Sequence, residues 1–218
     1  MSKPVRRLRT ADDSGAAAVE FALVSLLLFT ILFGIIEFSL LMRDNVAVSS
    51  AVRVGARIAS SEAGNGPCAT TSTPPQCASA TNFPKMAQDA ADAVQRAGVA
   101  MPKNSIDEMW IYKANASGFP GTFTALAGAT CSTSCVKFVW VDATSKFTYS
   151  SGTWDSKSIA ACAGASDAVG VIIKATHKYL FGLFGTTAPV SDRAVMQFEP
   201  LSADTCKAST AIGAGGHA

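Results

Sequence analysis

The chain has 218 residues, a formal net charge of +2 and 49% hydrophobic residues. A charge this close to zero gives no reason to expect a nucleic acid or another strongly charged macromolecule as a partner. Many of the hydrophobic residues are concentrated near the N-terminus. The part beyond them, about 175 residues, is long enough for one globular domain with its own core.

Residues 1–15 form a polar, basic leader in front of an apolar segment, Ala16–Met42, in which only Glu20 and Glu37 are charged. As a helix this segment is roughly 40 Å long, and the hydrocarbon core of a bilayer is about 30 Å thick. The apolar core of a secretory signal peptide is shorter, about 7–15 residues. We therefore predict a transmembrane helix over residues 16–42.

The charges that flank this helix predict its orientation. The leader contains Lys3 and three arginines, whereas the opposite end has Arg43 at the membrane edge and further arginines only beyond it. Positive charge accumulates on the cytoplasmic side of membrane helices. We therefore expect a single-pass protein with a cytoplasmic N-terminus and a periplasmic or extracellular C-terminal domain.

The two glutamates of this helix allow two interpretations. A carboxylate at the bilayer centre costs about 2.5–3.5 kcal/mol by insertion scales, so acids in membrane helices tend to be functional. Glu20 and Glu37 lie near the two ends, where a side chain can reach the headgroups, and they could therefore also be interfacial acids. The position of Glu20 favours a function, because it follows Gly15 by five residues and is itself followed by Phe21.

Helical periodicity continues beyond the membrane edge through residues 43–60. Small residues recur every four positions on one side and polar residues on the other. The small stripe is Ala47, Ala51, Gly55 and Ala59, and the polar stripe is Asn45, Ser49, Arg53 and Arg57. We predict one helix from about Ala16 to Ser60, roughly 65 Å long. The small stripe permits close packing on the chain's own domain or on a neighbouring helix of an assembly.

A second helix is predicted after a loop, residues 61–84, that is rich in proline, glycine, serine and threonine. The segment from Pro84 to Gly98 begins with proline and ends with glycine, an arrangement typical of helices. Its apolar side would be buried. The residues on that side are Met86, Ala90, Val94 and Ala97.

Beyond residue 98 the hydrophobic period changes to two, which indicates strands. The predicted strands are 106–114, 136–142, 146–149, 168–179 and 190–198, with a short segment around 159–163. A turn is expected at Ser151-Gly152 and a flexible tail over 202–218. We therefore predict an α+β fold: an outer domain, residues 61–201, with four to five mainly antiparallel strands covered by the outer half of the long helix.

All six cysteines lie on the predicted outer side: Cys68, Cys77, Cys131, Cys135, Cys162 and Cys206. An even number in an exported region indicates disulfides. Proximity along the chain favours Cys68–Cys77, Cys131–Cys135 and Cys162–Cys206, one of fifteen possible connectivities. Metal binding is the weaker alternative, because zinc sites use histidines and closely spaced cysteine pairs, and the chain has two histidines and no Cys-x-x-Cys.

No catalytic motif is visible. The chain lacks a Gly-x-Ser-x-Gly elbow, a His-Glu-x-x-His motif and a phosphate-binding glycine loop. His177 could be drawn into a triad with Asp167 or Asp192, but no serine partner is indicated, and we interpret it as a structural or surface histidine. We expect neither an enzyme nor a cofactor, metal or small-molecule substrate.

Three segments of the first sixty residues form a specific combination: Gly15-Ala-Ala-Ala-Val-Glu20-Phe21-Ala-Leu, Phe33-Gly-Ile-Ile-Glu37-Phe38 and Ala51-Val-Arg53-Val-Gly55-Ala-Arg57-Ile-Ala59. The first resembles a class III prepilin signal, in which a glycine precedes a glutamate by five residues at the start of an apolar helix. Together they resemble the TadE-like family of the tight-adherence (Tad/Flp) type IV pilus system.

This resemblance implies a pilin-like minor pilin or pseudopilin of the bacterial inner membrane that takes part in pilus assembly, in a priming or tip complex. A prepilin peptidase would cut between Gly15 and Ala16, and Glu20, Phe21 and Glu37 would contact other helices during assembly. The expected partners are the membrane, that peptidase and other pilins or minor pilins of the same system. The alternative is a permanently anchored, uncleaved envelope protein whose outer domain binds a partner or surface.

Overall fold

A continuous 48-residue helix, α1 (Ser14–Ser61), forms the spine of the molecule. The structure is a computed structural model that describes residues 14–68, 77, 83–97, 102 and 105–202. Most of the leader and of the predicted flexible tail therefore lies outside the described residues. No proline occurs within α1, so its backbone hydrogen bonds are uninterrupted, and its bounds agree closely with the predicted helix.

In the N-terminal half of α1, residues 15–32 have no cover from the rest of the described chain. Its large apolar side chains are exposed, Phe21 by 74% and Leu26 by 69%. The helix is long and apolar enough to cross a membrane, and none of its most apolar 18-residue window is buried. The hydroxyls of Ser25 and Thr30 donate to carbonyls of the preceding turn and so need no water. This half of α1 is therefore suited to lipid or to other apolar helices.

The outer half of α1 and a second helix, α2 (Lys85–Ala97), pack on a β-sheet. The strands are β1 (Ile106–Ala114), β2 (Cys135–Val141), β3 (Lys146–Thr153), β4 (Ala161–Cys162), β5 (Ala165–Ser166), β6 (Ala168–Lys178) and β7 (Thr187–Gln197). Five of them form an antiparallel sheet in the order β3-β2-β1-β6-β7, and β4 pairs with β5. The prediction of an α+β fold with a long apolar N-terminal helix is confirmed.

The small-residue stripe of α1 lies inside the chain's own domain. All four residues are buried: Ala47, Ala51, Gly55 and Ala59. A Cβ atom on Gly55 would lie 3.0 Å from Val94 of α2 and 3.4 Å from Val171 of β6. Glycine thus lets the two helices and the sheet meet closely. Of the two packing alternatives, the structure contains the one within the chain.

The face of the sheet opposite the helices is covered by the loop between β1 and β2. Trp110, Tyr112 and Ile172 pack there against Leu126 and other loop residues. The Tyr112 hydroxyl donates to the Gly118 carbonyl at 2.9 Å, and burial raises the pKa of this tyrosine to about 12. A Cβ at Gly170 would lie 2.2 Å from the Tyr112 ring, so the ring needs glycine beside it on β6.

Three details of the predicted elements are wrong. Ala97 is exposed at the end of α2, not buried. β3 does not turn at Ser151-Gly152 but continues to Thr153. Glycine is needed at position 152 because its φ is +91° and because a Cβ there would collide with the Cys135 carbonyl of the neighbouring strand. β7 begins at Thr187, ahead of Pro189, and the ladder tolerates this proline because β7 is an edge strand.

The cysteines among the described residues form disulfides. Cys68 pairs with Cys77 across a Cα–Cα distance of 5.9 Å, and Cys131 pairs with Cys135 across 5.2 Å. Cys162 is also disulfide-bonded, and its predicted partner, Cys206, lies outside the described residues. The Cys131–Cys135 bridge ties the loop that covers the sheet to the first residue of β2.

Candidate membrane and assembly interface

The predicted processing and assembly residues lie on the uncovered end of α1. Gly15, Ala16, Glu20 and Phe21 are all exposed, and an added Cβ at Gly15 would have no atom within 4 Å. Glu20 and Phe21 are thus open to contact by another molecule. The structure gives Glu20 no ion-pair partner among the described residues.

Glu37 has a different environment, because its side chain is completely buried. One of its carboxylate oxygens accepts hydrogen bonds from the backbone N–H groups of Phe181 and Gly182, at 2.5 and 2.9 Å. The other oxygen has no hydrogen-bond partner among the described residues. In this structure Glu37 therefore forms hydrogen bonds within its own chain. A contact between Glu37 and the helices of other subunits stays a prediction.

The partners of Glu37 belong to the turn that joins β6 to β7, residues 179–186, which we name the apolar turn. Phe181 of this turn stacks on Phe33 of α1 with ring centroids 4.5 Å apart. A Cβ on Gly34 would lie 3.7 Å from the Phe184 ring. The apolar turn therefore lies along α1 beside residues 33–37, within the segment predicted to span the membrane.

A second buried acid joins α1 to β6. Asp44 follows Glu37 by two helical turns and so lies on the same side of α1. Its carboxylate lies 2.7 Å from His177 Nδ1 and 3.0 Å from the Arg43 guanidinium, and both the Asp44 and His177 side chains are 4% exposed. His177 thus has a structural partner, but this partner is Asp44 and neither of the aspartates considered from the sequence.

The other two aspartates have separate contacts. Asp167 forms an ion pair with Lys113 at 2.6 Å and accepts the N–H of Ala160. Asp192 accepts the N–H of Arg193. Among the described residues no group of three or more histidine, cysteine, aspartate or glutamate side chains could hold a metal ion.

Comparison with protein families identifies the N-terminal part of the chain. Residues 15–57 match the family described as TadE-like protein. This segment is similar to the TadE-like family. The match contains Gly15, Glu20, Glu37 and Asp44 and ends within the buried part of α1, so it confirms the resemblance and suggests a protein associated with the Tad pilus. No curated protein and no solved structure matches the chain significantly.

Each contact between α1 and the end of β6 or the apolar turn joins one residue of the TadE-like segment to one residue outside it. Glu37 and Asp44 lie inside the matched range, whereas Phe181, Gly182 and His177 lie in the outer domain. The apolar turn was not predicted, although the sequence contains a signal for it. The residues after β6 read Leu180-Phe-Gly-Leu-Phe-Gly185, an apolar run with two glycines where a turn between strands is usually polar.

Proposed function

We propose that this protein is a minor pilin or pseudopilin that takes part in assembly of a Tad-type pilus for surface adherence, in a priming or tip complex. The observation that carries the proposal is the difference in burial between the two halves of α1. Its outer half is the spine of a folded domain, whereas residues 15–32 of its apolar half are uncovered and include Glu20. The TadE-like match, residues 15–57, extends over both parts. Such a helix can exchange lipid for the helices of other subunits without unfolding the domain.

The chemistry of the proposed step concerns the first turn of the processed chain. Cleavage of the Gly15–Ala16 peptide bond by a prepilin peptidase would give Ala16 a positively charged amine. A carboxylate moved into an apolar helix bundle is tolerated only with a charge partner. The Glu20 carboxylate would neutralise this amine, in its own chain or in a neighbouring one, as the helix enters the base of the filament.

The test is the intact mass of the protein purified from its native membrane. A chain that begins at Ala16 is expected, whereas a full-length chain would contradict the proposed processing. A Gly15→Leu variant, which adds bulk at the cleaved bond, should remain full length. Ser14→Ala leaves Gly15 unchanged and serves as the matched control, which should be processed.

A permanently anchored envelope protein is the second candidate, and one observation favours it. The apolar turn of the outer domain packs on the apolar half of α1 through Phe33–Phe181 and Glu37–Phe181 contacts. This arrangement would hold the domain against a membrane for as long as α1 stays there. Retention of residues 1–15 in the mature protein would support this candidate.

A further inference from the structure

We infer that the apolar turn, residues 179–186, inserts into the lipid leaflet on the side of the outer domain and forms a second membrane contact beside α1. This inference is independent of the proposed role in pilus assembly, because it concerns only how the domain sits on a bilayer. Four features of the turn support it: its exposed surface, its position along α1, its depth and its backbone hydrogen bonds.

The surface of the apolar turn is unusual for a loop in water. Its four large apolar side chains are exposed: Leu180 by 67%, Phe181 by 44%, Leu183 by 45% and Phe184 by 65%. No charged residue occurs from Tyr179 to Val190. Contiguous exposed apolar groups of this kind mark contacts with proteins or membranes.

The position of the turn favours lipid. Phe181 stacks on Phe33, and the Phe184 ring lies beside Gly34. Both α1 residues belong to its apolar half, which must itself be covered by lipid when the helix spans a bilayer. The exposed surfaces of the turn and of the helix are therefore continuous. Whatever apolar medium surrounds α1 at residues 33–34 also surrounds the turn.

The depth follows from the length of the helix. About twenty residues of helix cross the hydrocarbon core of about 30 Å, so a span that starts at Ala16 ends near Ile36. Phe33 and Gly34 then lie about 3–5 Å inside the hydrocarbon boundary. Interfacial segments bury their apolar faces to a similar depth, about 5–10 Å into the boundary between headgroups and acyl chains.

Part of the backbone of the turn already has hydrogen-bond partners within the protein. In lipid, each N–H and C=O group needs a partner within the protein. Glu37 accepts the N–H groups of Phe181 and Gly182, and the N–H of Tyr179 donates to the Thr186 carbonyl at 3.1 Å. Lys178 and Tyr179, at the base of the turn, are residue types that favour the headgroup region. The buried Glu37 carboxylate, at the end of the span, thus accepts two N–H groups of the turn that covers it.

The test uses the full-length chain in vesicles of phosphatidylcholine and phosphatidylglycerol, with or without lipids brominated near the headgroup end of the acyl chain. Bromine quenches tryptophan fluorescence on contact. Phe184→Trp keeps an aromatic ring at the turn and places the probe at its exposed tip. Ala116→Trp places the same probe on an exposed loop after β1, at the opposite end of the sheet, and is the matched control.

Both variants share the native tryptophans Trp110, Trp140 and Trp154, so this background cancels in the comparison. We expect brominated lipid to cause a larger loss of fluorescence in Phe184→Trp than in Ala116→Trp, and the emission of Phe184→Trp to shift to shorter wavelength in vesicles. Equal quenching in the two variants would overturn the inference and leave the turn in water or on a protein partner. No pilus component is present, so the result does not depend on the proposed function.

Discussion

The carboxylate of Asp44 lies 2.7 Å from His177 Nδ1 and joins the first turns of α1 outside the predicted membrane span to the end of β6. Both side chains are almost completely buried, and Arg43 is the only other charged partner of Asp44 among the described residues. Seven residues earlier on the same side of the helix, Glu37 binds the turn that follows β6. Two acids of α1 thus fix the outer domain to the helix.

Asp44→Ala should destabilise the outer domain. The substitution leaves the His177 imidazole buried without its partner, and an unsatisfied buried polar group costs about 1–3 kcal/mol. The measurement is denaturant unfolding of the full chain in detergent micelles, followed by tryptophan fluorescence. Asn45→Ala, next to it on the exposed side of α1, should change the free energy of unfolding by less than about 0.5 kcal/mol. Equal stability of the two variants would contradict a structural role for the Asp44–His177 pair.

The bounds of α1 could be predicted from the sequence, whereas its contacts with the outer domain could not. The bounds of α1 and β1 followed from hydrophobic period and the absence of proline, which are local properties. The end of β3 did not, because Gly152 signals a turn in isolation and is needed here for close contact with Cys135. The Glu37 contact could not be predicted, because its partners are backbone N–H groups 144 and 145 residues away, which almost any residue can supply.

Glu37→Leu should loosen the apolar turn. The substitution removes the acceptor of the Phe181 and Gly182 N–H groups while keeping the helix apolar, so these groups open more often. Hydrogen–deuterium exchange of the full chain, read by mass spectrometry on a peptide containing residues 179–186, should become faster. Ser39→Ala removes only a hydroxyl that donates to Ile35 within α1, and its exchange should match that of the unmodified chain. Unchanged exchange in Glu37→Leu would show that the turn is held by its apolar contacts alone.

Glu62 should make stability depend on pH near neutrality. Burial at the end of α1, with a hydrogen bond to the Asp89 carboxyl, raises the pKa of Glu62 to about 7 from 4.5. Between pH 4.5 and 7 the folded chain therefore binds more protons than the unfolded chain. The contribution of protonated Glu62 to the free energy of unfolding is complete below pH 4.5 and is lost as the pH rises through 7. Thermal unfolding of the full chain in micelles at a series of pH values measures this slope.

Two glutamate-to-glutamine variants test whether Glu62 causes this pH dependence. Glu62→Gln should flatten the dependence between pH 4.5 and 7, because the amide keeps a neutral side chain at all pH values. Glu199→Gln, which neutralises an exposed acid, should leave the slope in place. A slope that survives in Glu62→Gln would assign it to another group.

Glu20→Ala should leave membrane insertion intact and impair pilus assembly. Insertion depends on the apolar length of α1, to which Glu20 contributes nothing favourable, so the variant should fractionate with membranes like the unmodified chain. Assembly, in contrast, would bring the amine of processed Ala16 into an apolar helix bundle, and the substitution removes the carboxylate proposed to neutralise this charge. Counting pili on cells that carry the variant measures the effect.

Ser25→Ala is the matched control, because its hydroxyl also lies on the exposed apolar half of α1 and is already satisfied by the Ala22 carbonyl. This control should assemble pili normally. Loss of pili in Glu20→Ala, with normal amounts of membrane-bound protein, would place the defect after insertion and assign it to the carboxylate. Normal piliation in that variant would mean that the amine finds its charge partner elsewhere and that Glu20 is an interfacial acid.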